Sequence, residues 1–164
     1  MQFDLAQAIS LASAIGTVMA SFLIIFQIRS FEAWNRRQIS NQILNEFVSG
    51  TLEDSLEAIE SQFGWDLLSE GQSYRKIVRN FEQDTADRDE IELDRYLRRI
   101  LRRFEAICIS MDHKIVDEKT CREYIVSLLT AIHKSTAEFI EKERVKRNEP
   151  RVFEYVERYA HRWS

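Results

Sequence analysis

No charged residue occurs between Asp4 and Arg29, and the whole chain of 164 residues holds only four Gly, one Pro and two Cys. Each scarcity excludes something. Few chain breakers exclude a sheet of many short strands joined by tight turns and favour long helices. Two cysteines, Cys108 and Cys121, cannot make a disulfide framework. Neither belongs to a Cys-x-x-Cys pair or a Cys/His cluster with zinc spacing, so no metal site is expected and a reducing compartment fits. A net charge of −4 gives no overall attraction to nucleic acid or anionic lipid, so any basic site must be local. No glycine-rich phosphate loop and no Ser-His-Asp order occurs. His113, His133 and His161 are far apart in sequence, and none has an arginine at the spacing typical of some all-helical ribonucleases. His133, beside Ile132, reads as a helix-flank residue rather than a ligand, and His113 as a charge at a helix end. A non-enzymatic protein without cofactors is expected.

The uncharged run from Leu5 to Ile28 is roughly 36 Å long as a helix, enough to cross a bilayer core. A cleaved signal peptide would carry basic residues ahead of the apolar run, and here only Asp4 precedes it. A soluble core helix would show a charged stripe, and none interrupts this one. Arg29, Arg36 and Arg37 follow the run, which places the N-terminus outside and the remainder in the cytoplasm, the expected setting being a bacterial inner membrane. Phe31 and Trp34 fall where interfacial aromatics sit. Ser13, Gly16, Thr17, Ala20 and Ser21 form a stripe of small residues along which two spans could associate, giving a homo-oligomer. The alternative is that these hydroxyls bond carbonyls of their own helix.

Two segments follow from this reading: residues 1–49 as a transmembrane helix with a juxtamembrane extension, and 50–164 as a cytoplasmic, all-α, antiparallel helical bundle. Ile39, Ile43 and Phe47 carry the first helix on to about Gly50, read as its stop, with Thr51 and Asp54 capping the next. Leu52, Leu56, Ile59 and Phe63 form an amphipathic stripe. Gly64 and Gly71 bracket an irregular piece holding Trp65, Leu67 and Leu68. A helix is predicted over 73–81 and a loop over Gln83–Arg88. Another helix, about Asp89 to Met111, presents Leu93, Leu97, Ile100, Phe104, Ile107, Cys108 and Met111. Asp117 caps a long helix with the seam Cys121, Ile125, Leu128, Ile132, Ser135 and Phe139, fading into the charged stretch Glu141–Arg147. Pro150 suits the first turn of a last helix burying Phe153, Val156, Tyr159 and Trp163.

Three short pieces, Phe104-Glu105-Ala106-Ile107, Lys114-Ile115-Val116-Asp117-Glu118 and Asn148-Glu149-Pro150-Arg151-Val152-Phe153-Glu154, carry a resemblance. Over about Asp89 to Trp163 the chain resembles a bacterial family known as a domain of unknown function, number four-seven-six-zero. The resemblance implies the same layout, one N-terminal membrane helix followed by a helical cytoplasmic region, and no established activity.

Arg95, Arg98, Arg99, Arg102 and Arg103 cover one helix face, and guanidinium forks at this density suit a nucleotide, RNA or another anion. Asp94 and Glu92 stand at pairing distance from Arg98 and Arg95, the pattern of a self-neutralised solvated face. Glu105, at the edge of the apolar face, is expected to pair with Arg102 or Arg98 on its own helix. The leading expectation is a single-pass protein that acts by self-association and by contact with an unidentified cytoplasmic protein, without nucleic acid. By analogy of architecture it could be a membrane effector in stress or phage defence. An anchored receptor for an anion on the arginine face is the alternative.

Overall fold

Leu5 begins a helix that does not end at Gly50. In a computed structural model of the chain, which describes residues 5–69, 72–81 and 86–164, α1 runs over Leu5–Glu46. It passes through a π-helical segment, Phe47–Leu52, directly into α2, Glu53–Phe63. The register of buried residues explains the π turn. Ser40, Leu44 and Phe47 are buried at steps of four and three, as are Leu52, Ser55 and Ile59 at steps of three and four. Between Phe47 and Leu52 the step is five, which in an α-helix would rotate Leu52 about 140° off the buried face. A turn with i→i+5 hydrogen bonds returns it. Gly50 is therefore spanned rather than used as a stop. The expected fresh helix start does not occur, since α2 begins with Leu52 already helical and without a side-chain cap. The core of the bundle consequently begins ahead of residue 50, with Leu44 and Phe47. Phe47 meets the Phe104 ring edge-on at 4.9 Å.

α2 ends at Gly64, whose φ of 62° is the left-handed geometry that glycine adopts without steric cost, and whose N–H donates to the Glu60 carbonyl at 2.9 Å. The irregular piece beyond it is anchored. Trp65 and Leu67 are fully buried, and the Ser135 hydroxyl donates to the Leu67 carbonyl at 2.8 Å. Gly71 lies outside the described residues. Helix α3 covers Tyr74–Val78, shorter than the predicted stretch. Helix α4 covers Ala86–Asp112, so Ala86 to Arg88 are helical rather than loop, with Asp87 and Asp89 favouring its positive N-terminal end. Gln83, Asp84 and Thr85 fall outside the described residues. The expected apolar face of α4 is buried in full, joined by Leu101.

Helix α5, Glu118–Arg147, starts at the predicted cap. The Asp117 carboxylate accepts the Thr120 N–H at 2.9 Å and its hydroxyl at 2.7 Å, bonds that hold this carboxyl below its ordinary range. The seam of α5 differs in two places. Leu129 is buried where Leu128 was expected, with Leu128 half-buried. The seam does not fade at Glu141 but continues through Ile140 to Glu143, which is 0% exposed. Pro150 lies in the turn before α6, Glu154–Trp163, rather than inside its first turn. That turn holds Asn148 and Phe153 at positive φ, and the expected Phe153, Val156, Tyr159 and Trp163 are all buried. Helix α6 lies against α4 and α5, the C-terminal part of α1 against α5, α2 against α4, and α3 against α5. All the regular structure among the described residues is helical, and the fold is an antiparallel helical bundle with one protruding helix.

Candidate functional site

Up to Ile28, the protruding part of α1 carries no charged side chain on any side. Ile15, Val18, Met19, Phe22, Leu23 and Phe26 each expose more than half of their surface. This helix is long and apolar enough to cross a membrane, and none of its apolar stretch is buried against the rest of the chain. Soluble chains rarely expose so continuous an apolar surface. The small-residue stripe lies on this exposed part. The Thr17 hydroxyl donates to the Ser13 carbonyl and the Ser21 hydroxyl to the Thr17 carbonyl, both at 2.9 Å, so these hydroxyls are satisfied within the helix. Above Gly16 there is open space within 4 Å of where a side chain would begin.

The five arginines come together as predicted. Arg95, Arg98, Arg99, Arg102 and Arg103 line one surface cavity of about 480 Å³ on α4. They are not equivalent. Arg98 is committed inward, bonded to Asp94 at 3.3 Å, as its spacing predicted, and to Glu143 at 3.0 Å. The other four are exposed and make no ion pair among the described residues, the expected Glu92–Arg95 pairing included.

Behind this face is a clamp of partly buried charge. The Lys142 ammonium donates to Glu90 at 2.6 Å, to Asp94 at 2.8 Å and to the Tyr74 hydroxyl, which itself donates to Asp94 at 2.8 Å. Burial opposes the charge on Lys142, but its two carboxylate partners prevail and raise its pKa. Burial and the same carboxylates push Tyr74 far up. A lysine held charged and a tyrosine held neutral are poorly suited to acid–base work near neutrality, and the cluster serves to fix α3, α4 and α5 together. Glu143 extends it. Burial raises its pKa, but Arg98 and Arg147, the latter at 2.6 Å, outweigh burial and lower it.

Glu105 does not pair within its own helix. Its carboxylate accepts the Tyr155 N–H at 3.2 Å and the Val156 N–H at 2.8 Å, capping α6 from α4. Phe153, at the N-cap position, has no side chain able to do so. Two of the pieces that carried the resemblance therefore meet at one joint, and the third supplies the Asp117 cap.

Two features were not foreseen. An open cavity of about 570 Å³ beside the π segment has an apolar floor that includes Leu52, Leu56 and Leu67 and an acidic rim of Glu53, Glu57, Glu60 and Asp66. Three of its acidic residues, Glu53, Glu57 and Glu60, recur at helical spacing on α2, a signal present in the sequence. The second is the meeting of His133 with His161, ring centroids 5.3 Å apart, beside Glu157. Glu157 and His161 stand four apart on one helix, but their approach to His133 is a product of the fold. Cys108 and Cys121 are buried free thiols, as expected; burial raises both, Cys121 to about 11.

Comparison with curated proteins and with solved structures finds no match. The model of a family described as a domain of unknown function, DUF4760, matches residues 6–163, nearly the full chain, and the chain belongs to that family.

Proposed function

We propose that this protein is a single-pass membrane module that holds its helical bundle at the cytoplasmic surface and acts through protein contacts. The observation that carries this reading is the uncharged, largely apolar α1 stretch that is packed against nothing, continuous with a half that is locked into the bundle. Arg29, Arg36 and Arg37 at the bundle side favour the cytoplasmic orientation. The apolar cavity with its acidic rim on α2 suits a basic amphipathic segment of a partner. Self-association of the span would run along Ser13, Gly16, Thr17, Ala20 and Ser21. It would rest on close backbone approach at Gly16 rather than on hydroxyl bonds, which are already made internally.

Fractionation tests the anchor. The intact chain should stay in the membrane pellet after alkaline carbonate extraction and leave it only with detergent; recovery in the carbonate supernatant would refute the reading. Gly16→Leu should reduce cross-linked dimers in membranes without releasing the chain. Dye entry on overexpression, lost in the same variant, would identify a membrane-acting effector.

A second reading rests on the arginine cavity. Four exposed guanidinium groups without ion-pair partners among the described residues, converging on one cavity, form a receptor for a nucleotide or another polyanion. Because Arg98 is structural, the test replaces Arg95, Arg99 and Arg102 by Glu. Thermal stabilisation by nucleotides or RNA should vanish in that variant, and absence of any stabilisation in the parent chain would dismiss this reading.

A further inference from the structure

Helices α5 and α6 bring together three side chains of metal-binding type that lie up to 28 positions apart in the chain. His133 comes from α5, half-buried, while Glu157 and His161 stand one turn apart on the same side of α6. One ligand atom from each lies within 4.8 Å of the other two. The two imidazole rings meet edge to face, at 73°. We propose that His133, Glu157 and His161 form a binding site for a divalent transition-metal ion of the zinc class, joining the last helix to the body of the bundle.

The donor set selects the ion class. Two imidazole nitrogens and one carboxylate oxygen suit zinc and its transition-metal neighbours, whereas calcium and magnesium need a cage of oxygens. Three protein ligands leave a fourth position open. A cavity of about 580 Å³, lined by His133, His161, Gln72 and Ser164 among others, gives an ion and a water ligand access to that position. Zinc–ligand bonds near 2.05 Å in a tetrahedron place donor atoms roughly 3.3 Å apart. From 4.8 Å the closure is about 1.5 Å, within reach of side-chain rotation at the exposed His161.

The surroundings support the carboxylate ligand. Arg144 donates to one Glu157 oxygen at 2.7 Å, orienting the carboxylate while leaving its other oxygen available. The same guanidinium is also bonded to Glu141 at 2.7 Å, so two carboxylates offset Arg144. Lys134 lines the cavity as well, from an exposed position. As plain packing, the two rings and the Arg144–Glu157 pair would be a surface contact between helices. Metal affinity distinguishes the two.

The experiment uses the full-length, untagged chain in detergent, titrated with Zn²⁺ alone by calorimetry and followed by thermal melting. One ion should bind per chain, with a melting temperature that rises with zinc concentration. Substituting Co²⁺ should give the visible absorption of a four-coordinate site. His161→Ala, at an exposed position, should weaken binding at least about a hundredfold while leaving the metal-free melting temperature close to that of the parent. A Cys108→Ser/Cys121→Ser variant should bind zinc as the parent does. Absence of saturable binding, binding unchanged in His161→Ala, or binding lost with the cysteines would each overturn the proposal.

Discussion

The Ser40 hydroxyl accepts the Asp117 backbone N–H at 2.8 Å, across 77 residues of chain, while donating to the Arg36 carbonyl of its own helix at 2.7 Å. Ser40 is fully buried, so a single oxygen joins α1, just past its exposed apolar part, to the turn that starts α5. Ser40→Ala leaves that N–H without its acceptor at a part-buried contact. The expected cost is about 1–2 kcal/mol, seen as a lower melting temperature of the detergent-solubilised chain. Ser40→Thr, which keeps the oxygen but adds a methyl in a filled space, should also destabilise, and a neutral result for Ala would show that water replaces the bond.

Glu105 is the cap of a helix it does not belong to. Glu105→Ala should cost about 1 kcal/mol and speed hydrogen exchange of the Tyr155 and Val156 amides more than that of α5. Burial raises the Glu105 pKa above its ordinary 4.5, against the two amide bonds that lower it. The sign follows. The folded state holds this proton more tightly than the unfolded chain, so its contribution to stability is full below 4.5 and is lost as pH rises through the folded value. Glu105→Gln should abolish that loss, and a pH–stability curve superimposable on the parent's would contradict the assignment.

Glu90, Asp117 and Glu143 act in the opposite direction. Lys142 for Glu90, Thr120 for Asp117, and Arg98 with Arg147 for Glu143 (there against burial) all hold the carboxyls below their ordinary values. Their contribution is present above those ordinary values, 4.5 for Glu and 3.8 for Asp, and is lost as pH falls through the folded ones. Acid titration followed by circular dichroism should therefore show a steep loss of helix below about pH 4. Glu143→Gln should flatten that limb and cost about 2 kcal/mol at neutral pH, less than a fully buried pair because the Arg147 side chain is 39% exposed.

Deleting Gly50 should be tolerated. The step from Phe47 to the residue now numbered Leu52 becomes four, which an ordinary α-helical turn accommodates on the same face. A melting temperature within a few degrees of the parent is expected. Collapse of the fold on deletion would mean that the π turn is itself required.

Leu23→Arg places a charge midway along the exposed apolar run and should cost about 3 kcal/mol of insertion energy. The readout is the fraction of chain resisting carbonate extraction. Trp34→Arg, near the bundle, should leave that fraction almost unchanged.

Features set by local pattern were legible in the sequence. The long apolar helix is legible because its run carries no charged residue, and the Asp117 cap because the residue and its partner lie three apart. The same local logic failed at Gly50, where burial of Phe47 and Leu52 outweighs the breaker tendency of one glycine. It failed at Glu143, which reads as part of a solvated charged stretch until Arg98 arrives from another helix. The partner of Glu105 and the meeting of His133 with His161 depend on how α4 and α5 receive α6, and no periodicity encodes that. The arginine face lies between these cases. Its convergence was readable from helical spacing, but which arginine turns inward was not.

From Leu5 to Phe63 the backbone is helical without a break, and no slack linker separates its exposed end from the bundle. A tilt, twist or piston stroke imposed near Phe22 has no hinge in which to dissipate. Any displacement of that end would be carried along one rod to Phe47 and the Phe104 ring it meets edge-on.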